Sequence, residues 1–152
     1  MFMPIAPEHR WLYPIDCREL SQVIRFGRAQ GLCEHCGRPH GQDIRHLGDG
    51  TWWDAERNTW RDGWGKRVRK LPSPDELEAE QSSLAGISPA PRLSITRVVL
   101  ASAHLDHEPT NNRSRNLAAL CQRCHILHDG EEHRRRRWSK VFRLRALGDL
   151  FD

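Results

Sequence analysis

Two rhythms of hydrophobic and polar positions run along the chain, helical near its ends and strand-like between them. Leu20, Val23, Ile24 and Ala29 recur at helical spacing with Gly31 behind them, which predicts a helix over 18–30. Cys33-Glu34-His35-Cys36-Gly37 follows at once and reads as a metal knuckle, a tight turn in which the glycine relieves backbone strain. Between 43 and 70 the strand formers Thr51, Trp52, Trp53 and Trp60 flank the turn pair Asp49-Gly50, predicting a β-hairpin or small meander. Residues 71–92 hold four prolines and an acidic stretch from Asp75 to Glu80. They predict a surface loop with at most one helical turn at Asp75–Gln81, the most mobile part of the chain.

Ile95, Val98, Val99 and Leu100 meet no breaker and predict one strand from Leu93 to Ala103, ending near Leu105–Pro109. A polar loop over 110–115, a short strand over Asn116–Leu120 and a helix starting around Cys121–His125 follow. Gly130 interrupts that helix on paper. Glu131–Leu147 then reads as a separate basic helix with Trp138, Val141, Phe142 and Leu144 or Arg145 on its inner side. The first 17 residues are proline-rich and irregular, with Trp11 and Tyr13 as packing anchors. The pattern as a whole is α+β. Its 152 residues suit one domain, in segments 18–40, 41–92, 93–129 and 130–152.

Apolar runs such as Val98–Ala101 and Leu117–Cys121 are far short of the roughly 20 residues that cross a bilayer, so a membrane partner is not expected. The N-terminus has prolines, Glu8 and Arg10 in place of an apolar core, so no secretory signal is read there and a cytoplasmic location, bacterial or phage-infected, is expected. Lys plus Arg is 24 against 20 for Asp plus Glu, and the surplus lies at the C-terminal end. Between His133 and Arg145 there are 7 basic residues and no acidic one. Arg134, Arg135, Arg136, Arg137 and Lys140 are therefore candidate phosphate contacts. Lys66, Arg67, Arg69 and Lys70 make a smaller second patch, while Trp52, Trp53, Trp60 and Trp64 read as hairpin and core packing rather than base-stacking groups.

Four of the five cysteines form two C-x-x-C pairs, Cys33/Cys36 and Cys121/Cys124, separated by 84 residues. Two intervening residues let both sulfurs reach one ion from a single turn, and paired cysteines in a reducing compartment more often hold metal than form disulfides. A structural Zn²⁺ would tie the N-terminal third of the chain to the C-terminal third. Cys17 is left over as a free thiol.

The stretch Ala103-His104-Leu105-Asp106-His107-Glu108-Pro109, followed by Asn116-Leu117-Ala118-Ala119-Leu120-Cys121-Gln122-Arg123-Cys124-His125, resembles the HNH nuclease motif. More narrowly it is similar to small phage and prophage HNH endonucleases with a four-cysteine zinc site. The motif covers 103–129, and the knuckle at 33–37 with its preceding helix matches as well. The resemblance implies a ββα-metal (His-Me finger) core, and strand, strand and helix over 93–105, 116–120 and 121–129 give the same order from pattern alone. It also implies roles. His107 matches the general base, Asn116 the residue that orients it, and Asp106 with His125 the ligands of a catalytic Mg²⁺ or Mn²⁺. Asp129, four residues after His125 on the same helix face, is a third candidate ligand, with His128 ranked below it. His104 shares strand parity with Asp106.

In a regular strand Asp106 and His107 point to opposite faces, so the strand must end or distort there if both serve one site. The expected function is a metal-dependent endonuclease cutting DNA. The alternatives are a non-catalytic zinc-stabilised DNA-binding module, and a nuclease subunit active only within a larger phage packaging or defence assembly. Besides DNA, the partners considered are a second copy of the chain, as a homodimer, or such an assembly.

Overall fold

In the computed structural model the described residues are 11–12, 14–83 and 92–148. The first helix, α1, covers Cys17–Gln22 and runs on as a π-helical turn over Val23–Arg28. It ends where Gln30 and Gly31 take positive φ, as the glycine predicts. Ile24 is buried and Leu20 and Ala29 pack beside it, but Val23 faces solvent. The knuckle closes with the Gly37 N–H on the Cys33 carbonyl at 2.8 Å.

The predicted meander has four short strands, β1 (Asp43–His46), β2 (Trp52–Asp54), β3 (Thr59–Arg61) and β4 (Arg67–Val68). With β5 (Ser94–Arg97) they form an antiparallel sheet ordered β4-β3-β2-β1-β5. Trp52 joins the main core, and Trp60 packs with Leu47 and Leu77 in a second one. Trp53 meets Trp60 edge to face at 5.3 Å. Trp11 and Trp64 are exposed instead, and Tyr13 lies outside the described residues.

The expected loop at 71–92 contains a full helix, α2 (Pro74–Ser83). Its start is a capping box. The Ser73 N–H and hydroxyl both donate to the Glu76 carboxylate, at 2.7 and 2.9 Å, while Ser73 Oγ accepts from the Glu76 N–H at 3.4 Å. Leu77 anchors it against Trp60 and Leu47. The prolines suggested a loop, but Pro74 sits in the first turn, where its missing N–H costs nothing.

The single strand expected over Leu93–Ala103 is two strands in two sheets. β5 pairs with β1, whereas β6 (Leu100–His104) pairs with β7 (Leu117–Cys121) in a separate two-stranded antiparallel sheet. The switch falls at Val98–Val99. There the Val98 backbone bonds Gln42 and Gly41, and the Gln122 amide clasps the Val99 N–H and the Arg97 carbonyl. No local breaker marks it, because the partners that bend the chain come from 41–42 and 122.

All five residues of β7 are buried. Its outer edge is covered by the knuckle. The Glu34 N–H donates to the Ala119 carbonyl at 2.9 Å, and the Glu34 carboxylate accepts from the Ala119 N–H at 2.6 Å. Arg28 holds that carboxylate in turn at 2.7 Å. Asn116 precedes β7 in a 3₁₀ turn over Ser114–Asn116 rather than starting the strand.

The two helices expected around Gly130 are one, α3, running unbroken over Gln122–Gly148. A single glycine costs about 1 kcal/mol, too little to break a helix of this length. Trp138, Val141 and Phe142 do not face inward: all three are exposed, and the side chains of Leu144 and Arg145 lie outside the described set. No helix among the described residues is long and apolar enough to cross a membrane.

Candidate functional site

β7 delivers Cys121 at its end, and the first turn of α3 delivers Cys124, opposite Cys33 and Cys36 of the knuckle. All four are buried, with sulfurs within 4.8 Å of one another. Cys36 and Cys121 Sγ are 3.7 Å apart, and Cys33 Sγ accepts the Cys121 N–H at 3.3 Å. Hydrogen bonds from the Cys121, Cys124 and Cys36 thiols hold Cys33 far below the ordinary thiol range. The four cysteines could hold one metal ion, and they join segments 84 residues apart as their spacing predicts. His35 Nδ1 stands 3.5 Å from Cys124 Sγ, beside the cluster rather than in it.

The second cluster lies where β6 ends. The strand stops at His104, and 105–107 turn away, with the His107 N–H reaching back to the His104 carbonyl at 3.2 Å. His107 takes φ +60°, a left-handed conformation uncommon for any residue but glycine and a store of local strain. This turn removes the strand parity that would have sent Asp106 and His107 to opposite faces. His107 Nδ1 comes to 3.3 Å from Asp129 Oδ1 on α3, and His125 Nε2 stands 3.2 Å from Asp129 Oδ2. His128 stacks on the His107 ring at 4.5 Å, with its Nε2 3.2 Å from the His104 carbonyl.

His107, His128 and Asp129 place their ligand atoms within 4.8 Å of one another, half-buried, and form a second group able to hold an ion. His125, His128 and Asp129 share one flank of α3 because they are three and four residues apart.

Asp106 is placed differently. It is exposed, and its carboxylate serves the 105–116 loop. Oδ1 accepts from the Glu108 N–H at 2.9 Å and from Asn116 Nδ2 at 2.8 Å, while Oδ2 accepts from Asn111 Nδ2 at 2.6 Å. These donors, the Glu108 N–H foremost, pull its carboxyl down to about 2. Asn116 completes the brace, its Oδ1 accepting the Asp106 N–H and its Nδ2 also reaching the Asn111 carbonyl. Asp106 is not in the group that gathers His107, His128 and Asp129. Asn111 and the full part of His128 escaped the sequence reading. The only signal for Asn111 was an Asn-Asn pair in a polar loop, which marks a turn and no more.

On α3, Arg134 to Arg137, Lys140 and Arg143 are all exposed, but the run is less free than it reads. Glu132 binds both Arg135 and Arg136 at 2.8 Å. The chain matches no family model, no curated protein and no solved structure.

Proposed function

We propose that the protein is a metal-dependent HNH-type endonuclease that hydrolyses phosphodiester bonds in DNA, on a ββα-metal core stapled by zinc. One observation carries the reading. A strained turn after β6 delivers His107 onto the α3 flank that bears His125, His128 and Asp129, at 3.3 Å from the Asp129 carboxylate.

Zinc suits the four-cysteine site because Zn–S bonds of about 2.3 Å in a tetrahedron set sulfurs about 3.8 Å apart. The 3.7 Å between Cys36 and Cys121 fits that spacing. For the catalytic ion, the hard oxygen of Asp129 with His125, joined by Asp106 from the adjoining loop, would suit Mg²⁺ or Mn²⁺ better than a closed zinc site. Ligating carboxylates are commonly hydrogen-bonded themselves, so the bonds from Asn111 and Asn116 are compatible with Asp106 as a ligand. Its low pKa keeps it ionised, as a ligand must be. A bound divalent ion would stabilise the negative charge that develops on the phosphate oxygens. His107 takes the proton of the attacking water, with Asp129 orienting its imidazole through Nδ1. Asn116 holds the loop that carries His107.

The non-catalytic zinc module is the second reading, favoured by the engagement of the Asp106 carboxylate within its own loop. Supercoiled plasmid incubated with purified protein and Mg²⁺, Mn²⁺ or EDTA separates the two. Nicked or linear product that appears only with metal is expected. Plasmid that shifts on a gel but stays uncut with either ion overturns the stand-alone nuclease and supports the module instead.

DNA affinity is assigned to α3. Replacing Arg134 to Arg137 with Gln should weaken binding to all sequences alike. It should flatten log affinity against log salt by about 2 to 4 units, the lower figure if Glu132 already neutralises Arg135 and Arg136. An unchanged slope, measured by anisotropy across a salt series, makes the run a solvated face.

A further inference from the structure

We propose that the β3–β4 turn is a second DNA contact, in which Trp64 stacks on an unpaired base while the cations beside it take the flanking phosphates. This rests on the DNA reading above and narrows it to substrate with single-stranded character.

The first argument is exposure without a packing role. Trp52, Trp53 and Trp60 supply the aromatic packing of this sheet, whereas Trp64 is 69% exposed. Among the described residues its indole has no ring partner and no hydrogen bond.

The second argument is rigidity. The Asp62 carboxylate accepts from the backbone N–H groups of Trp64 and Lys66, at 2.9 and 2.8 Å. The Asp62 N–H donates to the Lys66 carbonyl, and the Gly65 N–H to the Asp62 carbonyl. Arg61 holds the Gly65 carbonyl at 2.7 Å. The turn also lies directly on the metal knuckle. Gly65 has φ +81°, and a Cβ there would come within 2.9 Å of the Cys36 carbonyl oxygen, so only glycine allows this contact. From the other side the Arg123 guanidinium of α3 lies against Gly63 of the turn, where a Cβ would come within 3.0 Å of it, and also reaches the Asp49 carbonyl of the neighbouring β1–β2 turn. The indole therefore stands on a platform fixed to the four-cysteine site and to the start of α3. Binding then has to order only the indole's own two side-chain torsions and not the backbone beneath it.

The third argument is charge. Over 62–70 there are four cations, Lys66, Arg67, Arg69 and Lys70, all exposed, and one acid, Asp62. That acid is already turned onto its own backbone. An aromatic face flanked by cations is what single-strand binders present, because every base has a stacking face whatever its identity. A duplex hides those faces, so the turn discriminates by strandedness and not by sequence.

The test uses the zinc-loaded full chain and a labelled oligonucleotide, single-stranded or paired with its complement, read by fluorescence anisotropy without added divalent ion. Trp64→Ala should weaken single-strand binding about 5- to 100-fold, the worth of one stacked base, with duplex binding little changed and the salt slope intact. Trp64→Phe should restore most of the loss. Lys66→Gln should lower the salt slope by about 1. The wild-type protein supplies a second readout that needs no variant: photocrosslinking to a 5-bromouracil single strand should attach the base at Trp64. Single-strand affinity unchanged in a folded Trp64→Ala protein, or crosslinks confined to α3, overturns the platform while leaving the nuclease reading in place. A wild-type protein that binds neither strand form overturns both.

Discussion

The His107→Ala protein should fold, keep its four-cysteine metal and still bind Mn²⁺, yet cut plasmid roughly 10²- to 10⁴-fold more slowly, the usual contribution of a positioned base. The position is half-buried at the end of a turn, so truncation leaves no large cavity, and the φ of +60° adds only the modest strain of a left-handed alanine. The ligand variants should behave differently. Asp106→Ala, His125→Ala or Asp129→Ala should weaken the divalent ion, and excess Mn²⁺ should recover part of the rate. Asn116→Ala should slow cleavage without removing metal, because it braces the loop through Asp106 and Asn111. Single-turnover cleavage and Mn²⁺ binding, measured on the same preparations, separate these roles. A folded His107→Ala protein that cuts at the wild-type rate removes His107 as the base. One that no longer binds Mn²⁺ makes it a ligand, as its grouping with His128 and Asp129 would allow.

The second large effect concerns the fold. Cys33→Ser or Cys121→Ser should lose the structural metal and with it the cooperative thermal transition. Structural zinc sites carry apparent binding energies of about 10–16 kcal/mol, comparable with the whole stability of a small domain. Here the ion would join the knuckle to both β7 and α3, and the knuckle also covers the β7 edge through Glu34. Losing the site therefore uncovers a buried strand as well as two cysteine pairs. Cys17→Ser, outside the cluster, should leave metal content and melting unchanged. Wild-type protein with no stoichiometric zinc by elemental analysis, or a Cys121→Ser protein that melts like wild type, would refute the structural role.

The four-cysteine cluster and the His-Asp flank of α3 rest on local spacing, which is why they can be read in one dimension. Two residues between cysteines, and three or four between His125, His128 and Asp129, are distances that a turn or a helix converts directly into a shared face. The α1 segment, the Gly31 stop, the knuckle, the meander and the order strand, strand, helix before His125 follow from the same short-range rules. The failures are of another kind. The break at Val98–Val99 depends on Gln42 and Gln122, and no pattern within 93–103 announces it. Proline content hid α2, whose capping box and Leu77 contact with Trp60 outweigh composition.

Two outcomes depended on distant partners. Tertiary contacts sent Asp106 into its own loop while His107 went to Asp129, although the two are adjacent in sequence. Only folding shows that the β3–β4 turn rests on Cys36, leaving Trp64 outside the packing that takes Trp52, Trp53 and Trp60. Glu132, unremarkable beside a run of arginines, ties two of them down at helical i+3 and i+4 spacing, a local pairing within α3. The sequence by itself determined the four-cysteine set and the shared α3 flank of His125, His128 and Asp129, since residue identity and spacing are covalent properties of the chain. The tertiary structure decided which of them meet, because long-range hydrogen bonds and burial set the direction of each side chain after its local element ends.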